Sequence, residues 1–130
     1  MASIRIPAVY GPMERVRESR PGTSTLYRLM AALRSGQAVQ VAGPTVTSDW
    51  SYAADIGGAA AALLAAPRWR HTIYNVGCGR AVTFAEVVDI FVEHGLRARW
   101  VGAPAAEIAM RPAQTRAPLD IARLQHETGY

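Results

Sequence analysis

The chain has 130 residues, 50% hydrophobic and 18% charged, which is the make-up of one folded globular domain and excludes a disordered chain. Arg and Pro interrupt every long apolar stretch before the roughly 20 residues a membrane helix needs, and the opening Met-Ala-Ser-Ile-Arg lacks a signal-peptide core, so a cytoplasmic protein without a membrane partner is expected. The net charge is +4, yet the basic residues run from Arg5 to Arg123 interleaved with Glu14, Glu18, Asp49, Glu86 and Glu93, which argues against a nucleic-acid partner.

In chain order, Ser3 to Tyr10 is an apolar, β-branched run that predicts a buried strand ending at Gly11-Pro12. Pro7 has no backbone donor and fits such a strand only near an end, at a bulge or where no neighbour needs that N–H. Met13 to Thr23 is rich in Arg, Glu, Pro and Gly, and reads as a polar loop suited to ligand contacts. From Ser24 the spacing of Leu26, Leu29, Met30 and Leu33 predicts a helix capped by Thr23 or Ser24 and closed by Gly36. Ala38 to Ala42 alternates as a half-buried strand, and Trp50 to Tyr52 is a second candidate. Asp55 is placed to cap a small-residue helix that Pro67 stops.

Thr72 to Val76 predicts another buried strand, with Gly77-Cys78-Gly79 as the turn after it. Thr83-Phe84-Ala85-Glu86 is a capping box opening a helix whose apolar side is Val87, Val88, Ile90, Phe91 and Val92. Arg97 to Val101 is a short strand, Gly102 to Pro118 a connector, and Asp120 to Thr128 a last helix. Short strands alternating with helices define an α/β class with no internal repeat and no linker. The first strand needs neighbours that so few strands are not expected to supply.

All 14 basic residues are arginine, so no step that needs a lysine ammonium can be performed by this chain. Cys78 is the single cysteine and His71, His94 and His126 are scattered, so neither a disulfide nor a metal site is expected. Gly77-x-Gly79 lies between a strand and a helix as a dinucleotide-binding turn does, but Val82 stands where the third glycine belongs. A tight turn is the simpler reading. Asp49 and Asp55 are separated by Trp50 and Tyr52, which does not make a convincing carboxylate pair, and the two aromatics are also readable as core residues.

Several blocks in fixed order carry a resemblance over nearly the whole chain. Arg5-Ile-Pro-Ala-Val-Tyr-Gly-Pro12, then Ala38 to Gly43, Ser48-Asp49-Trp50 with Ala53-Ala54-Asp55, Tyr74-Asn75-Val76-Gly77-Cys78-Gly79, and finally Arg111 with Asp120-Ile-Ala-Arg123, resemble the C-terminal portion of the extended short-chain dehydrogenases/reductases, the NAD-dependent epimerase/dehydratase family. The resemblance implies the C-terminal part of a Rossmann-type enzyme, residues 1–130 being a substrate-binding portion that begins after the catalytic helix. That family binds NAD or NADP through an N-terminal glycine-rich loop and uses a Tyr-x-x-x-Lys pair, neither of which this sequence contains. No catalytic residue is therefore expected here, and no cofactor for this chain alone.

Carried over by position, Pro7, Ala8 and Val9 would line the nicotinamide end of the cofactor in the complete enzyme. Arg20, Ser48, Trp50 and Arg111 would meet the substrate, a sugar, sugar acid or nucleotide sugar, possibly anionic in character. Ala8 stands where many sugar-nucleotide enzymes have Asn, and Ser48 where they have an Arg that grips phosphate. The expected partner is the missing Rossmann half or another protomer. The alternative is a noncatalytic module that self-associates through an exposed sheet edge, as a homo-oligomer.

Overall fold

The predicted first strand is divided at Pro7 into β1 (Ser3–Arg5) and β2 (Ala8–Tyr10). They are followed by α1 (Thr25–Ser35), β3 (Val39–Ala42), β4 (Thr47–Ser48), β5 (Trp50–Tyr52), α2 (Ala53–Ala65) and β6 (Ile73–Asn75). The remainder comprises β7 (Val82–Thr83), α3 (Phe84–Glu93), β8 (Ala98–Trp100), β9 (Ile108–Ala109) and α4 (Ala122–Thr128). This computed structural model describes residues 2–15 and 22–130. The chain forms two compact units, one of Met1–Gly11, Ser48–Ala81 and Arg116–Tyr130, the other of Pro12–Thr47 and Val82–Thr115. Each is assembled from separated segments, which is why no linker shows in the sequence.

In the first unit β1 pairs in parallel with β6, Ser3 opposite Ile73 and Arg5 opposite Asn75, while β2 pairs in parallel with β5, Ala8 opposite Trp50 and Tyr10 opposite Tyr52. The chain changes partner between these ladders at Pro7, where the missing donor breaks no hydrogen bond. β1 is exposed rather than buried: Ile4 is 45% accessible, and Ile6, just past the strand, 52%. The composition reads as buried because parallel strands are normally covered on both faces, and here that cover is absent. Packed around Tyr74 and Val76 of the β6 segment are Ala59 and Leu63 of α2 and Leu124 of α4, all buried. The small residues of α2 permit this close approach. Its start corrects the sequence reading: Tyr52 is the N-terminal cap without a side-chain bond, and Asp55 lies in the first turn. The carboxylate still faces the positive end of the helix dipole there.

At the other end of this core the Glu127 carboxylate accepts hydrogen bonds from the Tyr74 hydroxyl at 2.5 Å and the Arg70 amide at 3.3 Å, with His71 Nε2 3.6 Å away. The Tyr74 bond, foremost, holds the Glu127 carboxyl below its ordinary range against the opposing effect of burial.

In the second unit β3 is the middle of a parallel sheet in the order β8, β3, β9. Its central place explains why Val39, Val41 and Ala42 are all buried, where alternation alone predicted a half-buried strand. The short β9 lies inside the Gly102–Pro118 stretch read as a connector. Glu107, just before it, secures the sheet edge, its carboxylate accepting from the Gln40 amide at 2.8 Å and its carbonyl from Arg28. Both helices begin as their sequences predict. The Ser24 hydroxyl accepts from the Tyr27 amide, and Ser24 is itself held by two bonds to the Glu14 carboxylate. Thr83 and Glu86 form the reciprocal capping box of α3. Leu29 of α1 and Phe84, Val87 and Val88 of α3 are buried, with Trp100 edge-on to Phe84 at 5.8 Å.

Two glycine substitutions test this packing in opposite directions. Gly43 has φ +87° and a Cβ there would lie 2.0 Å from the Met110 carbonyl oxygen, so Gly43→Ala should lower unfolding stability by at least about 2 kcal/mol. Gly57, inside α2, has open space around it, and Gly57→Ala should raise stability by about 0.5–1 kcal/mol. Urea midpoints for the two variants check both.

Candidate functional site

Asp49 follows β4 and precedes β5, and is 1% exposed. Its carboxylate accepts from the Ser51 hydroxyl at 2.9 Å, the Cys78 amide at 3.0 Å, the Gly79 amide at 3.3 Å and the Leu119 amide at 3.1 Å. Three stretches of the first unit thus converge on one side chain. Burial pushes the Asp49 carboxyl up, but the donors from Cys78, Leu119 and Ser51 outweigh it and hold the group below the ordinary carboxylate range. Gly77 has to be glycine for this clasp to close, since a Cβ would meet Asp49 Oδ2 at 2.9 Å and Pro7 Cγ at 3.0 Å.

The clasp also decides what the Gly77-x-Gly79 turn can do. Its amides at Cys78 and Gly79, the groups that would cradle a phosphate, are already turned onto the Asp49 carboxylate. A pyrophosphate does not fit there, because it would bring a second anion to donors that one anion already occupies. The cofactor-type turn is a structural one.

Next to the clasp lies a cavity of about 320 Å³. Tyr10, Trp50, Tyr52 and Tyr130 line it, with Asp55 and Cys78 among the other residues of its wall. Tyr10 and Tyr52, opposite each other on the β2–β5 ladder, have ring centroids 5.5 Å apart at 43°. Tyr130 is tied to α2 by a 2.6 Å bond from its hydroxyl to the Asp55 carbonyl. Burial, followed by the nearby Asp55, Cys78 and Tyr52, pushes the Tyr10 phenol above its usual range. Desolvation and the adjacent Asp49 raise the exposed Cys78 thiol as well, which makes it a poor nucleophile at neutral pH. Among the described residues the Trp50 indole N–H is buried without a hydrogen-bond partner, and a donor so placed costs about 1–3 kcal/mol.

Of the residues picked from sequence, Ala8 and Val9 lie on β2 directly opposite Trp50 and Ser51, and Pro7 packs on Gly77, so the expected cofactor floor adjoins the cavity wall. Trp50 lines the cavity, whereas Ser48 is buried and is not among the lining residues. Trp50 and Tyr52 are not core aromatics; they are half-buried and exposed respectively. Arg111 belongs to the second unit, where it is exposed and its amide donates to Gln114. Arg20 lies outside the described residues. Asp49, Tyr10, Asp55, Cys78 and Tyr130 were not picked, although Tyr10, Asp49, Asp55 and Cys78 all sit inside the motif blocks. Among the described residues no cluster of His, Cys, Asp or Glu could hold a metal ion, and no helix is long and apolar enough to cross a membrane.

No model of a protein family matches the sequence, and no curated protein matches it. Solved structures do. An NAD-dependent NDP-hexosamine 5,6-dehydratase, TunA, involved in tunicamycin biosynthesis, matches 99% of this chain and 39% of its own at 21% identity, with a TM-score of 0.73. The UDP-glucose 4-epimerase of Thermus thermophilus, in complex with NAD, matches 96% of this chain and 39% of its own at 23% identity and a TM-score of 0.70. MoeE5, in complex with UDP-glucuronic acid and NAD, matches 98% and 40% at 23% identity, also with a TM-score of 0.70. The chain therefore has the α/β fold of these NAD-dependent epimerases and dehydratases and spans about 40% of their length.

Removing the clasp should be costly. Asp49→Ala strands the Gly79 and Leu119 amides, at about 1–3 kcal/mol each, and leaves the Cys78 amide with the Ser51 hydroxyl alone, so it should lower stability by about 2 kcal/mol or more. Because the folded chain holds Asp49 and Glu127 ionised below their ordinary range, their contribution is complete above the unfolded carboxylate values of about 4 and is lost as pH falls through the lower folded ones. Urea midpoints should be flat from pH 7 to about 5 and fall in acid, and the fall should be shallower in Asp49→Asn.

Proposed function

We propose that the chain is the substrate-side portion of an NAD(P)-dependent epimerase, dehydratase or reductase acting on a sugar, sugar acid or nucleotide sugar, and that it has no catalytic competence alone. The observation that carries this reading is the combination of whole-chain likeness to such enzymes with a sequence that has no lysine and a Gly77-x-Gly79 turn whose amides are taken by Asp49. A tyrosine acid/base in these enzymes depends on a neighbouring lysine, and a dinucleotide depends on free turn amides. Both must come from a Rossmann half. Pro7, Ala8 and Val9 then form the floor under the nicotinamide end, and Trp50 the nearest of the proposed substrate contacts, with Ser48, Arg111 and Arg20 completing that set. The exposed β1, with Ile4 in it and Ile6 just after it uncovered, offers the surface on which a further parallel strand of that half would lie.

The exposure of β1 also supports the second reading, a module that associates with itself through this edge. Calorimetry with NAD and NADP on the chain alone should give no binding isotherm; clear micromolar binding overturns the proposal. Sedimentation then separates the two readings. A stable dimer that Ile4→Lys disperses supports self-association, and a monomer with intact near-UV dichroism opposes it.

A further inference from the structure

We infer that the aromatic cavity of the first unit is a receptor for a small organic cation, an ammonium seated among Tyr10, Tyr52 and Tyr130 with Asp55 as its counter-charge. The cavity shares Trp50 with the substrate contacts proposed above, and ammonium binding by the chain alone is tested without substrate or cofactor, so the two readings fail separately.

The lining of the cavity is of one electrical character. Among the described residues every titratable group there is a tyrosine, a carboxyl or a thiol, and none of the described arginines lines it. Asp55 is exposed at the cavity wall, and among the described residues its carboxylate accepts no hydrogen bond and meets no cationic partner, the ion pair there being His71–Glu127. Its charge is thus available to a ligand. Tyrosine rings carry negative π faces, which attract cations that shed water easily, ammonium groups with apolar substituents above all. Both features act against an anion. A phosphate or carboxylate would meet Asp55 and the ring faces with repulsion, and the amides that might have compensated are held by Asp49.

About 320 Å³ is at the small end of ligand cavities and accommodates a trimethylammonium head with a short substituent. The openness of the site, with Tyr52 38% and Tyr130 46% accessible, makes the affinity modest, since cation–π contacts are strongest when desolvated.

Tetramethylammonium chloride titrated into the isotopically labelled full chain tests this, with sodium chloride at matched ionic strength as the reference. Saturable NMR shifts in the millimolar range are expected at the Gly77 and Cys78 amides and the Trp50 indole. Asp55→Asn should weaken binding about fivefold and Asp55→Glu much less, and Tyr52→Leu should weaken it by a comparable factor. Among the described residues the Asp55 side chain makes no hydrogen bond or ion pair, so its variants should keep the wild-type dichroism, and Tyr52→Leu supplies an independent arm. Equal shifts with sodium chloride, no saturation, binding indifferent to both substitutions, or preferential binding of acetate at these amides would each overturn the inference.

Discussion

Everything that gives the first unit a site depends on one buried negative charge. Asp49 is ionised and out of water, a state that is tolerable only because four donors surround it. In being satisfied it fixes the segment before β5, the turn after β6 and the approach to α4 in one arrangement. The aromatic wall from β5 and the Gly77–Cys78 backbone meet because of that arrangement. The same charge removes the turn from phosphate chemistry, so the feature that builds the cavity also restricts what can be bound beside it.

Pro7 plays a comparable part with no charge at all. By lacking a donor it marks where the first strand leaves β6 and joins β5, and so it carries one continuous segment past both ladders of the unit. This brings Tyr10 opposite Tyr52, and Ala8 and Val9 alongside Trp50 and Ser51. A residue that looks unfavourable in a strand is here the means by which the strand serves two neighbours.

What the sequence reveals and what it hides divide along sequence separation. The caps at Ser24 and Thr83, the stop at Gly36 and the turn at Gly77 are all set by residues within a few positions of one another, and each is found where its local chemistry places it. The α/β class follows from the same signals. The clasp is different: Asp49 reaches residues 29, 30 and 70 positions away, so nothing beside it in the sequence distinguishes it from an ordinary surface carboxylate. β9 was hidden for a like reason, since two residues form a strand only because β3 lies alongside. Trp50 and Tyr52 alternate as core residues do, and only the packing shows them lining a cavity. The motif blocks nevertheless contained most of that cavity, because Tyr10, Asp49, Asp55 and Cys78 each sit within one. Some of them meet directly, as where the Asn75 amide donates to the Asp120 carbonyl at 2.8 Å.

The interleaving of the two units governs the order in which the molecule can be made. The first unit takes its segments from the start, the middle and the end of the chain, and its core includes Leu124. During synthesis that core stays open until α4 has emerged, whereas every segment of the second unit is available once Thr115 has been added. The cavity-bearing unit is therefore the last to close, and its closure spans more than a hundred residues of chain, the kind of long-range contact that slows folding. β1 and β2 wait in turn for β6 and β5, made about 40 to 70 residues later, so these two strands stay unpaired through the early part of synthesis.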